Sequence, residues 1–298
     1  MRLLPLALAA TLALAPLAPR PAAAQSSSAS AAPIPQAAQS ILPPTCPAAK
    51  ASTRLSAPLA RTAARLRAGQ PITIVAIGSS STAGAGATSA SASYPSRLQA
   101  ALRERFPGAD ITVLNRGVNG QDAPEMLARF DADVAAAKPT LVIWQAGVNA
   151  LFRADGLATA GPELRQAITR IRALDADLVL VDPQYSPRVI ADADTGAMIR
   201  LIDAVASEEG VDVYHRYALM RDWHEAGRMP FESFLAKDSF HMNDWGYDCF
   251  ARDLGRSMAA NIDAQQRAAD LTPSASRSSA KPSAFPAKNP SAPVSATP

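Results

Sequence analysis

Residues 72–86 read Ile72-Thr73-Ile74-Val75-Ala76-Ile77-Gly78-Ser79-Ser80-Ser81-Thr82-Ala83-Gly84-Ala85-Gly86. The first six are apolar or β-branched without alternation, which predicts a strand buried on both faces, because a half-exposed strand would alternate. At Gly78 the chain is expected to turn sharply, and four hydroxyl residues follow at once. A hydroxyl just past the carboxyl end of a buried parallel strand stands where open α/β sheets place their ligands. The stretch lacks the Gly-Lys-Ser/Thr of a phosphate loop, and its glycines at 78, 84 and 86 do not fit Gly-x-Gly-x-x-Gly. Read alone, it serves equally as a nucleophile loop or a plain flexible loop.

Outward from this strand, the apolar pattern switches repeatedly between two periods. Leu55, Leu59 and Leu66 predict a leading helix, stopped by Gly69 and Pro71. Tyr94, Leu98, Ala101, Leu102 and Phe106 recur at helical spacing, and 111–114 form a second strand that runs into Asn115-Arg116-Gly117-Val118-Asn119-Gly120. A helix over Met126, Leu127, Phe130 and Val134 precedes a third strand, 141–145, which stops at Ala146-Gly147-Val148-Asn149. Leu164, Ile168, Ile171 and Leu174 mark an amphipathic helix, and strand 178–181 ends at Asp182-Pro183. Met198, Ile199, Ile202 and Val205 give another helix, and 211–214 a fifth, short strand.

Helical pieces over 217–227 and 231–236 lead to Asp238-Ser239-Phe240-His241, and a final helix starts near Asp244. The apolar cluster Met220, Trp223, Met229, Phe231, Phe234 and Leu235 reads as packed core, with an apolar lid as the alternative. Alternating strands and helices predict an α/β fold: a flavodoxin-like three-layer α/β/α sandwich with a five-stranded parallel sheet in the order 2-1-3-4-5.

Both ends lack the pattern of the middle. Residues 1–24 carry Arg2, a Leu/Ala run and Ala22-Ala23-Ala24, the expected form of a secretory signal peptide. The run is short and interrupted by Pro5 and Pro16, so no integral membrane span is expected in the mature chain. Residues 25–45 form a Ser/Ala/Pro-rich linker expected to be disordered, and 269–298 a similar tail with Arg277, Lys281 and Lys288. The tail reads as a solvated spacer, with weak electrostatic contact to an anionic envelope as the alternative. The folded domain is placed at 46–268.

The net charge of +3 is mild, and no basic stripe with interleaved aromatics is present, so nucleic acid is not an expected partner. In an exported chain the two cysteines, Cys46 and Cys249, are most simply one disulfide, with two buried thiols as the alternative.

Ser80, Asn119-Gly120 and Asn149 follow strand ends, and Asp238 with His241 lies in a late loop. A serine needs a base, because its hydroxyl is almost wholly protonated near neutrality. Of the three histidines, His215 follows a strand and His224 sits among charges on a helix, so both read as structural. His241 has a carboxylate three residues earlier. That spacing lets Asp238 bond one ring nitrogen and leave the other for the serine, although Asp-x-x-His is also what a turn capping the last helix would show. Asp182, at a strand end, is the alternative partner for the imidazole. Neither His-Glu-x-x-His nor a cysteine cluster is present, so no metal or other cofactor is expected.

Taken in order, Gly78-Ser79-Ser80-Ser81-Thr82, Gly120 after Asn115-x-Gly117, Gly147-Val148-Asn149 and Asp238-x-x-His241 resemble the blocks of the SGNH (GDSL-like) hydrolase superfamily. The resemblance implies Ser80 as nucleophile, in the register kept by Thr82, and His241 as general base oriented by Asp238. It implies an oxyanion hole made by the backbone N–H groups of Ser80 and Gly120 and the side-chain amide of Asn149. Two positions depart from the family pattern: Ser79 replaces the Asp of Gly-Asp-Ser, and Ala150 replaces the Asp of Gly-x-Asn-Asp.

The function implied is a periplasmic or secreted serine esterase that hydrolyses short acyl esters, such as acetyl, on an envelope or extracellular carbohydrate. Alternatives are a lipase or lysophospholipase-type esterase, an acyltransferase using the same acyl-enzyme, and a non-catalytic carbohydrate-binding module.

Overall fold

The computed structural model describes residues 45–47 and 53–271. The expected signal peptide, nearly all of the linker and the tail beyond 271 lie outside the described residues. Strands β1 (Ile72–Gly78), β2 (Ile111–Gly117), β3 (Leu141–Gln145), β4 (Asp177–Val181) and β5 (Asp212–Tyr214) form a single sheet in the order β2-β1-β3-β4-β5. Every pairing is parallel, so the sheet is the one expected from the sequence.

Alternation within each strand divides the core in two. Ile74, Ala76, Ile143, Val179 and Val181 face one way, against Tyr94, Leu98, Phe250 and Leu254. These partners come from α3 (Tyr94–Arg105) and α10 (Asp244–Leu271), which lie on that face with α1 (Ala60–Arg67). Val75, Ile77, Val142, Trp144, Leu178 and Leu180 face the other way. They meet Leu164 and Ile168 of α6 (Gly156–Arg172) and Met198 and Ile202 of α8 (Thr195–Glu209). Burying each such side chain stabilises the fold by about 1.5–3 kcal/mol, and the central strands β1 and β3 are accordingly apolar on both faces, whereas the edge strand β2 is only partly buried. Met220, Trp223, Phe234 and Leu235 are buried in the first of these clusters, so that segment is core and not lid.

Several elements differ from the sequence reading: α1 begins only at Ala60, past Leu55 and Leu59, β2 runs on to Gly117 through residues expected in a loop, and the helical piece expected over 231–236 is a 3₁₀ turn at Phe231–Ser233. The helix expected across Met126–Val134 is broken into α4 (Ala123–Ala128), α5 (Phe130–Asp133) and a 3₁₀ turn at 135–137. The break falls at Arg129, whose backbone leaves helical geometry while its side chain bonds back toward the sheet. In addition, the hydroxyl loop after β1 is one turn of helix, α2 (Ser80–Ala83). The last helix, expected near Asp244, starts there and continues to Leu271, past residue 268.

A disulfide joins Cys46 to Cys249 of α10. Beside it, Ser257 accepts from Leu55 N–H, and Asn261 accepts from Leu59 N–H while donating to the Leu55 and Ala57 carbonyls. Among the described residues, no helix is long and apolar enough to cross a membrane.

Candidate active site

The strands end in register: Gly78 stands beside Gly117, Ile77 beside Trp144, and Gln145 and Tyr214 both beside Val181. The loops that follow them therefore leave from one rim. The chain passes from β1 to β2 on one side and from β2 back across to β3 on the other, so the crevice lies at the ends of β1 and β3. Ser80 follows the first of these and Asn149 the second.

Gly78 is needed for space rather than for a turn. A Cβ there would overlap Thr82 Oγ1 and come within 2.9 Å of Gln145 Oε1. Gln145, 1% exposed at the end of β3, accepts from the Ser79 N–H (3.0 Å), the Ser79 hydroxyl (2.9 Å) and the Thr82 hydroxyl (3.3 Å). Ser79 is thus turned into the sheet and occupied. Ser80 opens the helical turn, and its own N–H makes no hydrogen bond to another described residue.

His241 reaches Ser80 from the far end of the chain, with Nε2 2.7 Å from Ser80 Oγ. Its Nδ1 lies 2.6 Å from Asp238 Oδ2. An ionised carboxylate only accepts, so Nδ1 carries the proton, Nε2 of the neutral ring accepts, and the Ser80 hydroxyl donates. The other Asp238 oxygen takes the backbone N–H groups of Phe240 and His241, each at 3.0 Å. Partial burial raises the Asp238 pKa, but these hydrogen bonds and the nearby ring outweigh it, and the group is held below the usual carboxylate value.

A bridge between Leu235 and Met242 closes this loop, and Gly86 lets it approach the serine turn. At Gly86 φ is +88°, and a Cβ would meet the Met242 carbonyl at 2.5 Å and His241 Cβ at 3.0 Å.

Asn149 donates its side-chain amide to the carbonyl of Gln121 (2.7 Å), next to Gly120. A primary amide has two N–H groups, so one remains for a ligand. The Gly120 N–H makes no hydrogen bond to another described residue, and nothing lies within 4 Å of where a Cβ would stand. Asp122 and Glu125 form a capping box at the start of α4, which pins the end of this loop.

Asp182 is not the partner of His241. Its carboxylate accepts from Tyr217 N–H and lies 3.6 Å from His215 Nδ1, while its carbonyl accepts from the buried Arg216. His224 bonds the Met229 carbonyl and stacks on Phe231, in keeping with a structural role.

Sequence reasoning missed Gln145 and Arg129. The guanidinium of Arg129 donates to the Gly78 carbonyl (3.2 Å) and to Gln121 Oε1 (2.6 Å) and pairs with Asp133 (2.6 Å). It thus ties the serine strand to the Gly120 loop. A polar residue closing the apolar run Leu141–Gln145 was a usable signal for the first. Nothing in the local sequence marks the second.

A serine, a histidine and an aspartate linked by hydrogen bonds at the carboxyl rim of a 2-1-3-4-5 parallel sheet define a hydrolase-type site on a doubly wound α/β fold. Residues 45–264 match the family described as non-GDSL lipase-like, and the chain belongs to that family. The match bears out the resemblance to SGNH-type hydrolases and agrees with Ser79 standing where a Gly-Asp-Ser motif has its acid.

Among curated proteins, Esterase TesA of Pseudomonas aeruginosa is 30% identical over 141 residues, which are 46% of this chain and 66% of that protein, just under two thirds of its length. Among solved structures, a two-domain esterase (CEX) active on acetylated mannans, crystallised with mannopentaose, aligns with TM-score 0.59 and 21% identity. That alignment covers 72% of this chain and 55% of the other. A catalytic mutant of Axe2, an acetylxylan esterase from Geobacillus stearothermophilus, aligns with TM-score 0.54 and 20% identity, over 63% of this chain and 94% of its own. At these identities the structural likeness speaks for the fold.

Proposed function

We propose that this protein is a serine esterase that hydrolyses carboxylic esters, with Ser80 as nucleophile, His241 as general base and Asp238 as the group that orients the imidazole. The observation that carries the reading is the continuous chain from Asp238 Oδ2 through both His241 nitrogens to Ser80 Oγ, with bonds of 2.6 and 2.7 Å. Ser80 Oγ attacks the ester carbonyl as its proton passes to Nε2. The developing oxyanion takes the N–H groups of Ser80 and Gly120 and the second amide N–H of Asn149. Donors aimed at that charge in a water-poor site each contribute about 3–4 kcal/mol to the transition state. The imidazolium then protonates the leaving alcohol, and a water activated by the same ring hydrolyses the acyl-enzyme. Asp238 stays ionised throughout, holding the ring in the tautomer the first step needs.

The preferred substrates are short acyl esters, acetyl above all, on a carbohydrate of the envelope or exterior. The activities named for the acetylated-mannan and acetylxylan esterases support this choice, as does the burial of Met220, Trp223, Phe234 and Leu235, side chains that could otherwise have covered a long acyl chain. The Cys46–Cys249 bond and the leader-like residues 1–24 support work outside the cytoplasm.

The test is acetate release from acetylated xylo- or manno-oligosaccharides, alongside labelling by a fluorophosphonate. Ser80→Ala is expected to lower turnover by about 10⁴-fold or more and to abolish labelling, with the thermal midpoint little changed. Undiminished turnover in that variant would refute the assignment.

A further inference from the structure

The loop that carries Asn149 and the loop that carries His241 each hold up one phenylalanine, and both rings support the same arginine. Phe152 stands three residues after Asn149, and Phe240 immediately precedes His241. Arg188, on the short helix α7 (Pro187–Ile190) that follows β4, lies with its guanidinium carbon 3.9 Å from the Phe152 ring centroid and 5.5 Å from that of Phe240. Phe240 in turn meets the His241 imidazole edge-on at 4.8 Å, so one ring separates the guanidinium from the general base.

Arg188 differs from the other arginines near this rim. Arg129 pairs with Asp133, Arg153 with Asp122 and Glu163, and Arg216 donates to the Asp182 carbonyl and Gln184 Oε1. Arg188 is exposed, and among the described residues neither an ion pair nor a hydrogen bond engages its guanidinium. Five N–H donors on a planar fork, fixed in place by two aromatic faces, are left facing solvent. That arrangement fits a carboxylate or phosphate, which can take two parallel bonds from one guanidinium.

Its side of the site is set by the chemistry. His241 must hand its proton to the leaving oxygen, so the departing alcohol lies on the imidazole side, where Phe240 packs. We propose that Arg188, braced by Phe152 and Phe240, is a specificity-determining residue that binds an anionic group on the alcohol portion of the ester, making acylated acidic saccharides the substrate class. The inference rests on the esterase reading above and narrows it.

The experiment compares kcat and KM of the full chain on three acetylated sugars: glucose, glucuronate and glucose 6-phosphate. The wild-type protein is expected to prefer one or both acidic sugars over the neutral one through a lower KM, and to lose that preference as salt is raised. Arg188→Gln is expected to cut the acidic-to-neutral ratio of kcat/KM by about tenfold to a hundredfold, and Arg188→Lys to retain part of it. The better of the two acidic sugars identifies the anion as carboxylate or phosphate. A wild-type ratio at or below one, or a ratio unchanged in Arg188→Gln, overturns the proposal, and the first of these needs no variant to fold. In either case Ser80→Ala, assayed on 4-nitrophenyl acetate, tells which idea has failed: abolished turnover leaves the esterase reading standing, and retained turnover removes both.

Discussion

At the amino-terminal rim of the sheet, Asp177 and Asp212 open β4 and β5, and each gathers three donors. Asp177 takes the N–H groups of Arg61 and Thr62 and the Thr62 hydroxyl, and Asp212 takes those of Ser56 and Ala57 and the Ser56 hydroxyl. At the carboxyl-terminal rim, Asp238 also gathers three donors, but one of them is the ring of His241. The carboxylates at the first rim are buried, whereas the Asp238 side chain is 46% exposed. One and the same device, a carboxylate collecting N–H groups, locks the leading arm to the sheet at one end. At the other it orients an imidazole whose second nitrogen meets the Ser80 hydroxyl.

Substitutions at the two rims should therefore separate cleanly. Of the three carboxylates, Asp238 should matter most for turnover: in Asp238→Asn the side-chain oxygen can keep the backbone N–H groups, but its amide then faces Nδ1 and favours the tautomer that cannot accept from Ser80. A loss of up to about 10⁴-fold in kcat with little change in thermal midpoint is expected, measured by acetate release and calorimetry.

Asp177→Ala should do the reverse. Three donors lose a buried acceptor, costing about 3 kcal/mol of stability by denaturant titration, while kcat per folded molecule stays near the wild-type value. A fall in kcat as large as that of Asp238→Asn would erase the distinction between the rims.

The smallest effect is expected at His215, which lies near two carboxylates without a tight bond, 3.6 Å from Asp182 and 3.7 Å from Asp203. Its interaction with Asp182 outweighs burial and raises its pKa. A raised histidine stabilises the fold fully below the unfolded value of about 6.5 and loses that contribution as pH climbs through the folded value. The stability advantage of the wild type over His215→Gln should therefore shrink as pH rises above the unfolded value of about 6.5, by less than about 1 kcal/mol because the ring is partly exposed. An advantage that grew with pH would contradict this sign.

Much of the fold was legible because its signals are local. Unbroken apolar runs marked β1, β3 and β4, and helical spacing of leucines and isoleucines marked α3, α6 and α8. Alternation of the two, with the handedness of crossovers, led to the strand order. The helix over 126–134 misled because its break depends on Arg129 reaching Gly78 and Gln121, contacts invisible to periodicity. Gln145 lies at a position any strand end can occupy, and only the packed serine turn shows what its oxygen holds.

By itself, the sequence determined the α/β class, the order of the elements, the four motif blocks and the pair of residues, Asp238 and His241, that a three-residue spacing can join. Tertiary structure decided which of three adjacent serines meets the imidazole, that Asp182 serves His215 and Arg216 instead, and that Arg188 stands on two rings without a counter-ion among the described residues. The reason is range: periodicity and spacing are properties of neighbours along the chain. A hydrogen bond between residues 80 and 241 exists only when burial of both sheet faces has brought their loops to one rim.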